Sequence, residues 1–152
     1  MSEGEKLISA NKKARHDFHI VKTFEAGMVL KGSEVKSCRD GRVQLLDSYA
    51  SFEKGELYLH KVNIAEFKQS GPFFNHEPAR KRKLLMHRRE MENLKAEMEQ
   101  SGSTLVPLRM YFKKGKAKVE LGLAKGKNKG DKRQALKAKD EERSIRQAKK
   151  RG

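Results

Sequence analysis

The stretch NKKARHDFHIVKTFEAGMVLKGSEVKS, residues 11–37, decides how the chain is read. Phe18, Ile20, Phe24, Ala26, Met28 and Leu30 share one parity, with Lys22 the single intruder, so an extended chain places all six on one face. A run of about thirteen residues, at roughly 3.3 Å each, exceeds an ordinary strand and must coil within a small domain. Gly27 permits this by lacking a Cβ, and coiled long strands build small barrels. Asn11, Lys12, Lys13, Arg15 and His16 lead into the strand and Glu25 interrupts its outer face. The segment after it predicts a short helix capped by Ser33, with Glu34 at the positive end of its dipole, Gly41 as a left-handed stop, and Val35 and Cys38 facing inward.

Length and charge bound the partners. At 152 residues the chain fits one domain with extensions: a mobile start over 1–10, a barrel over 11–124 and a basic tail over 125–152. Its 36 Lys and Arg against 20 Asp and Glu leave a formal charge of +16, which repels itself in a compact fold until a polyanion neutralises it. Nucleic acid is the leading polyanion. A membrane is disfavoured, because no segment approaches the roughly 20 apolar residues of a spanning helix and the basic stretches lack a broad apolar face. The only early apolar run is Leu7-Ile8 and Cys38 is the single cysteine, so a secretory route is not indicated and a cytoplasmic monomer is expected.

Downstream, Lys54-Gly55 predicts a hairpin turn between strands over 48–52 and 57–62. Residues 68–78 hold Gly71-Pro72 and Pro78 and read as a loop, in which docking of Phe73 and Phe74 onto the barrel is favoured over an exposed stacking surface. After Pro78, the spacing of Leu84, Met91, Leu94 and Met98 predicts a helix ending at Ser101-Gly102. Its opening turns would carry Arg80, Lys81, Arg82, Lys83, Arg88 and Arg89 against the helix dipole, an arrangement that contact with a phosphate backbone explains better than helix stability does. A second hairpin turns at Lys114-Gly115, between Val106, Leu108, Met110 and Phe112 on one strand and Ala117, Val119, Leu121 and Leu123 on the other, with Lys113, Lys116 and Lys118 outward. The fold class is therefore mainly β with packed helices. An antiparallel barrel of the oligonucleotide/oligosaccharide-binding (OB) type is the economical choice, though patterning leaves other small barrels open.

From Lys125 onward, twelve basic and four acidic residues give +8, and Leu136 and Ile145 are the only large apolar side chains. Nine positions apart, they fall on roughly opposite sides of a helix, so the tail has no core-facing stripe and is expected to be disordered when free and helical on a partner. Catalysis is not indicated. His16, His19, His60, His76 and His87 are scattered without metal-ligand spacing, and Gly126 and Gly130 lack the apolar strand that a phosphate-binding loop follows. No metal and no cofactor are expected. The residues alone support a basic RNA-binding barrel, a description a ribosomal protein would also satisfy.

The words of the sequence go further. Asn11-Lys-Lys-Ala-Arg-His16, Phe24-Glu-Ala-Gly27, Gly32-Ser-Glu-Val-Lys-Ser37, Asp47-Ser-Tyr49, Asn75-His-Glu-Pro78, Arg82-Lys-Leu-Leu85, Val119-Glu-Leu-Gly-Leu-Ala-Lys-Gly126 and Gly130-Asp-Lys-Arg133 resemble the SmpB family, bacterial proteins that bind tmRNA. The resemblance covers nearly the whole chain. It implies an OB-type barrel with packed helices that grips the elbow of the tRNA-like domain of tmRNA and brings it to stalled ribosomes for trans-translation, without catalysis. It also implies RNA contacts by Asn11, Glu25 and Leu85, supported by Lys12, Lys13, Arg15, His16, Lys36, Arg82 and Lys83. In such a site Asn11 could read an RNA edge, Leu85 pack on a splayed base or sugar, and Glu25 accept from a base amine or a 2′-OH, or else only orient a lysine. Gly130, Asp131, Lys132, Arg133, Leu136, Lys137, Ile145 and Arg146 match the family's tail, which enters the empty mRNA channel and lies helical near the rRNA of the decoding centre. Two departures are Cys38, where an aliphatic residue is expected, and the ending Lys149-Lys-Arg151, which lacks an aromatic.

Overall fold

A computed structural model describes residues 4–126. In chain order they form β1 (Glu5–Ala10), α1 (Lys12–Asp17), β2 (Phe18–Met28), α2 (Gly32–Arg39), β3 (Val43–Gln44), β4 (Tyr49–Glu53), β5 (Glu56–His60), β6 (Asn63–Ile64), β7 (Arg82–Leu85), α3 (Arg88–Ser101), β8 (Thr104–Lys113) and β9 (Lys116–Gly126). The larger sheet runs β1-β8-β4-β5-β7-β2-β9, and a further β8–β9 pairing closes it into a ring, while β3 and β6 pair separately. Every pairing is antiparallel. Both predicted hairpins form, and each turn takes two successive left-handed residues, Lys54-Gly55 at φ 50° and 80° and Lys114-Gly115 at φ 52° and 74°. Such turns carry the twist of the flanking strands across the connection.

The long strand exists, but its six apolar residues do not share a face. The β2–β9 register slips between Ile20 and Lys22, leaving Val21 as an extra residue, and a slip of one flips the side chains beyond it. Phe18 and Ile20 therefore lie with Ala14, Val106, Leu108 and Ala124 in a small outer cluster beneath α1. Phe24 and Met28 pack against the main core, where Ala26 is buried with Leu57, Leu59, Leu84, Leu94, Met110 and Leu121. A matching slip in β8 between Pro107 and Arg109 accommodates Pro107 and divides Leu108 from Met110 in the same way. Gly122 keeps the outer cluster tight, since a Cβ there would stand 3.0 Å from Leu108 Cδ1 and 3.2 Å from Ile20 Cδ1.

Four expectations are corrected. Glu5–Ala10 is not a mobile start but a strand paired with β8, with Ile8 buried. The barrel extends past residue 124, because Lys125 and Gly126 pair with His19 and Phe18. The segment after Pro78 is not helical at once. Arg82 and Leu84 pair with Leu59 and Leu57 as inward residues of β7, and α3 starts only at Arg88. The cations of Arg80 to Lys83 are consequently off the helix and matched to carboxylates: Arg80 and Arg82 to Glu34, Lys81 to Glu53 at 2.5 Å, Lys83 to Glu56 at 3.4 Å. Phe73 and Phe74 do not dock but stand exposed.

The short helix α2 forms, with Gly41 left-handed beyond it at φ 69°. Ser33 is not its cap. Glu34 reaches back to accept the Lys31 N–H at 2.8 Å, and Ser33 is buried against His76 instead. Cys38 is buried as expected, whereas Val35 is only partly so. Burial, with the Glu34 charge adding to it, pushes the Cys38 thiol up to about 12, which leaves it an inert filler. The other helix, α3, inserts Leu94 into the core, stops at left-handed Gly102, and sends Glu97 to Lys22 at 3.1 Å, which gives the intruder on the apolar face its partner.

Candidate nucleic-acid interface

The basic cluster that precedes the long strand is the helix α1, and Asn11 fixes its position. The Asn11 carboxamide oxygen accepts the Ala14 N–H at 3.1 Å, while its NH₂ donates to Leu45 O at 3.2 Å and Pro107 O at 3.0 Å. Both donors are spent inside the protein, where Asn11 joins α1 to β8 and to the chain after β3. Ala14 faces the outer cluster, so Lys12, Lys13, Arg15 and His16 project to solvent. Arg15 and His16 occupy the last turn, where positive charge complements the helix dipole. Lys13 lies 3.9 Å from Asp17 and His16 Nδ1 lies 3.0 Å from the same carboxylate.

From α1 a polar network crosses the outer face of β9, β8 and β2. Arg15 approaches Glu120 at 3.6 Å; Glu120 also faces Arg109 at 3.6 Å, and Arg109 donates to Glu5 at 3.0 Å. The Arg109 guanidinium lies 4.1 Å above the Tyr111 ring. Tyr111 in turn donates its hydroxyl to Glu25, which Lys113 approaches at 3.4 Å. The Tyr111 hydrogen bond lowers the Glu25 pKa; partial burial opposes it, Lys113 and Lys118 add to it, and the carboxyl stays below its usual range. Glu25 therefore holds Tyr111 and Lys113 in place as an anion, which favours the orienting role over direct reading of RNA.

Leu85 lies beside Glu25. Gly27 pairs with Leu85 across β2 and β7, and with no side chain of its own it leaves Leu85 and Lys118 facing an open hollow of about 450 Å³ that also includes Glu25, Met86, His87 and Glu90. Leu85 is 53% exposed, on the opposite face of β7 from its buried neighbour Leu84. Arg109 and the buried Tyr111, which hold this network together, escaped the sequence reading, and Lys118 was read there as outward but not as part of a site. Their signal was their parity, opposite to that of the core residues Met110, Val119 and Leu121 on the same strands.

The remaining candidates lie apart. Lys36 is exposed on α2, its Nζ 5.5 Å from the centroid of the Phe67 ring, and Lys83 projects from β7 toward Glu56. Arg82 is not available at all. It is fully buried, donating to Glu34 at 2.6 Å, Val62 O at 2.6 Å and Pro78 O at 2.9 Å, so its role is in the core and not on RNA. Gly130, Asp131, Lys132, Arg133, Leu136, Lys137, Ile145 and Arg146 lie outside the described residues. Among the described residues no group of three His, Cys, Asp or Glu could hold a metal ion, and no helix is long and apolar enough to cross a membrane.

Comparison with known proteins gives one consistent answer. The model of the SmpB protein family matches residues 8–151. The SsrA-binding protein of Geobacillus thermodenitrificans (strain NG80-2) is 54% identical over 149 residues, 97% of this chain and 96% of that protein. The SsrA-binding protein of Trichodesmium erythraeum (strain IMS101) is 49% identical over 146 residues, 96% and 94% of the two chains. A solved structure described as "tmRNA-SmpB: a journey to the center of the bacterial ribosome" superposes with a TM-score of 0.66 at 52% identity, covering 79% of this chain and 84% of that one.

Proposed function

We infer that this chain, which belongs to the SmpB protein family, binds the tRNA-like domain of tmRNA and brings it to stalled ribosomes for trans-translation. The observation that carries the site within this reading is the continuous outer surface from α1 to Leu85, where exposed cations alternate with carboxylates that fix their geometry. Lys12, Lys13, Arg15 and His16 meet the phosphate backbone, Lys118 and Lys113 extend that contact, and Leu85 packs on a splayed base or sugar of the RNA elbow. Lys36 and Lys83 add positive charge beyond this patch. The tail, with Gly130 to Arg133, Leu136, Lys137, Ile145 and Arg146, enters the mRNA channel and becomes helical beside the decoding centre. The protein works as a cytoplasmic monomer that positions RNA and catalyses nothing.

Each phosphate neutralised releases counterions, so the logarithm of affinity should fall with the logarithm of salt by roughly 0.7–0.9 per contact. Binding of a tRNA-like fragment should therefore weaken steeply with salt while staying ahead of duplex RNA of equal length at every concentration. Equal competition by the two would leave only generic basic binding.

Shape reading is tested at Leu85. Leu85→Ala removes an exposed side chain without opening the core, and if that side chain is buried on the RNA its loss costs about 1.5–3 kcal/mol, tenfold or more in affinity. Glu25→Gln should weaken binding less, by loosening Tyr111 and Lys113. Filter binding at fixed salt, with unchanged melting curves, separates this from misfolding; a Leu85→Ala variant that binds normally would remove the hollow from the interface.

A further inference from the structure

Phe73 and Phe74 take no part in the surface described above. They are 92% and 80% exposed, at the tip of a loop whose shape is tightly pinned. Gly71 turns it with φ 73° and ψ 175°, a conformation open essentially to glycine. The Asn75 side chain accepts the Phe67 N–H at 2.9 Å and donates to Phe67 O at 2.7 Å and Gly71 O at 3.2 Å, tying the two ends of the loop together. Next to it, buried His76 anchors the loop to α2 and β6. Its Nε2–H donates to Ile64 O at 2.8 Å, which in the neutral ring leaves Nδ1 to accept from Ser33 Oγ at 2.8 Å.

Two adjacent phenylalanines held in water by a pinned loop add nothing to the core, so the loop geometry serves something outside the fold. No other large apolar side chain is exposed between Tyr49 and Leu85 among the described residues. A protein interface of ordinary size covers roughly 800 Å² per partner around an apolar centre, of which two phenylalanine side chains supply only about 300–500 Å². An unstacked nucleobase needs only an aromatic face with positive charge nearby for its phosphates. Lys68 lies in the same loop, and Lys36 reaches over the ring of Phe67 at the loop's base. Glu66 and Glu77 border the loop, and the chain charge of +16 outweighs them, so the electrostatics suit a polyanion.

We propose that Phe73 and Phe74 form a second RNA contact, in which they stack on unstacked bases of a single-stranded segment while Lys36 and Lys68 meet the flanking phosphates. The contact differs from the Leu85 hollow, whose lining includes no residue of this loop. It rests on the RNA-binding reading above, and the bases belong either to tmRNA or to ribosomal RNA.

The test places a photoreactive benzophenone analogue of phenylalanine at Phe74 of the full chain and irradiates it in two arms, with tmRNA alone and with stalled ribosomes. An RNA adduct in either arm is expected, and the arm identifies the source. Affinity for that RNA should fall about 5–150-fold in Phe73→Ala/Phe74→Ala. It should fall nearly as far in Phe73→Leu/Phe74→Leu, which keeps apolar surface but has no aromatic face. Adducts to protein only, no adduct, or wild-type affinity in the leucine variant would each overturn the contact. Failure of the unmodified chain to bind any RNA would overturn the underlying reading with it, whereas normal binding by both double variants would overturn the contact alone.

Discussion

Replacing Glu34 with alanine is expected to lower the free energy of unfolding by about 3–5 kcal/mol, seen as a large fall in the urea midpoint at unchanged slope. Four donors converge on this buried carboxylate: Arg80 Nη2 at 2.5 Å and Nε at 3.0 Å, Arg82 Nε at 2.6 Å and the Lys31 N–H at 2.8 Å. Without it the Arg82 guanidinium keeps only the Val62 and Pro78 carbonyls as partners and remains a fully buried charge with no counterion. A domain of this size has roughly 5–15 kcal/mol of stability in total, so the single change removes a large part of it. Arg82→Met should cost less, because Arg80 still neutralises Glu34, and Arg80→Met, at the partly exposed end of the network, least of all. A reversed order would show that the carboxylate is not the hub of the cluster.

The same carboxylate predicts a pH dependence. Burial raises the Glu34 pKa, but the Arg80 hydrogen bond, the Lys31 N–H and Arg82 outweigh it, and the folded value lies below the ordinary one. A group depressed in the folded state contributes fully above its unfolded pKa and loses that contribution as pH falls through the folded value. Stability of the parent chain should hold from neutral pH to about pH 5 and then drain below about pH 4. The gap between the parent and Glu34→Ala should narrow over that acidic window. A gap that stayed constant down to pH 2 would place the cost in packing and not in charge.

What could be read beforehand follows from which interactions are local. The two Lys-Gly hairpins were legible because a two-residue left-handed turn is specified by its own residues and by the alternation on either side. The flip at Val21 was not, since a bulge leaves parity in the sequence untouched while reversing the face in space. Arg82 hid for a different reason: between Lys81 and Lys83 it is one cation in a row, and only a carboxylate 48 positions away distinguishes it. The supposed basic helix start failed on that point, because four adjacent cations are matched by carboxylates on α2, β4 and β5. Asn11 stood out in the sequence, but its partners within the fold did not. The chemistry of its carboxamide suits RNA and backbone alike, and the nearby carbonyls of Leu45 and Pro107 take it.

Ending the chain before Asp131 is expected to abolish tmRNA-dependent tagging on stalled ribosomes while leaving affinity for the tRNA-like RNA close to that of the full chain. Every side chain of the described core precedes residue 126, so the fold loses no packing. Removing residues 131–152 takes away nine basic and four acidic residues, and the +11 that remains still favours RNA. The tail's own composition, strongly basic with only Leu136 and Ile145 large and apolar, suits a segment that orders against ribosomal RNA and not against its own barrel. If that ordered form is a helix, Ala138→Pro removes a backbone donor at a cost of about 3 kcal/mol in a helix interior, whereas Ala138→Ser keeps the charge and most of the propensity. Tagging should then fall sharply with proline and little with serine, at equal RNA affinity for both. Normal tagging by the proline variant would remove the helix from the mechanism, and a truncated chain that lost RNA binding as severely as tagging would show that barrel and tail do not divide the work.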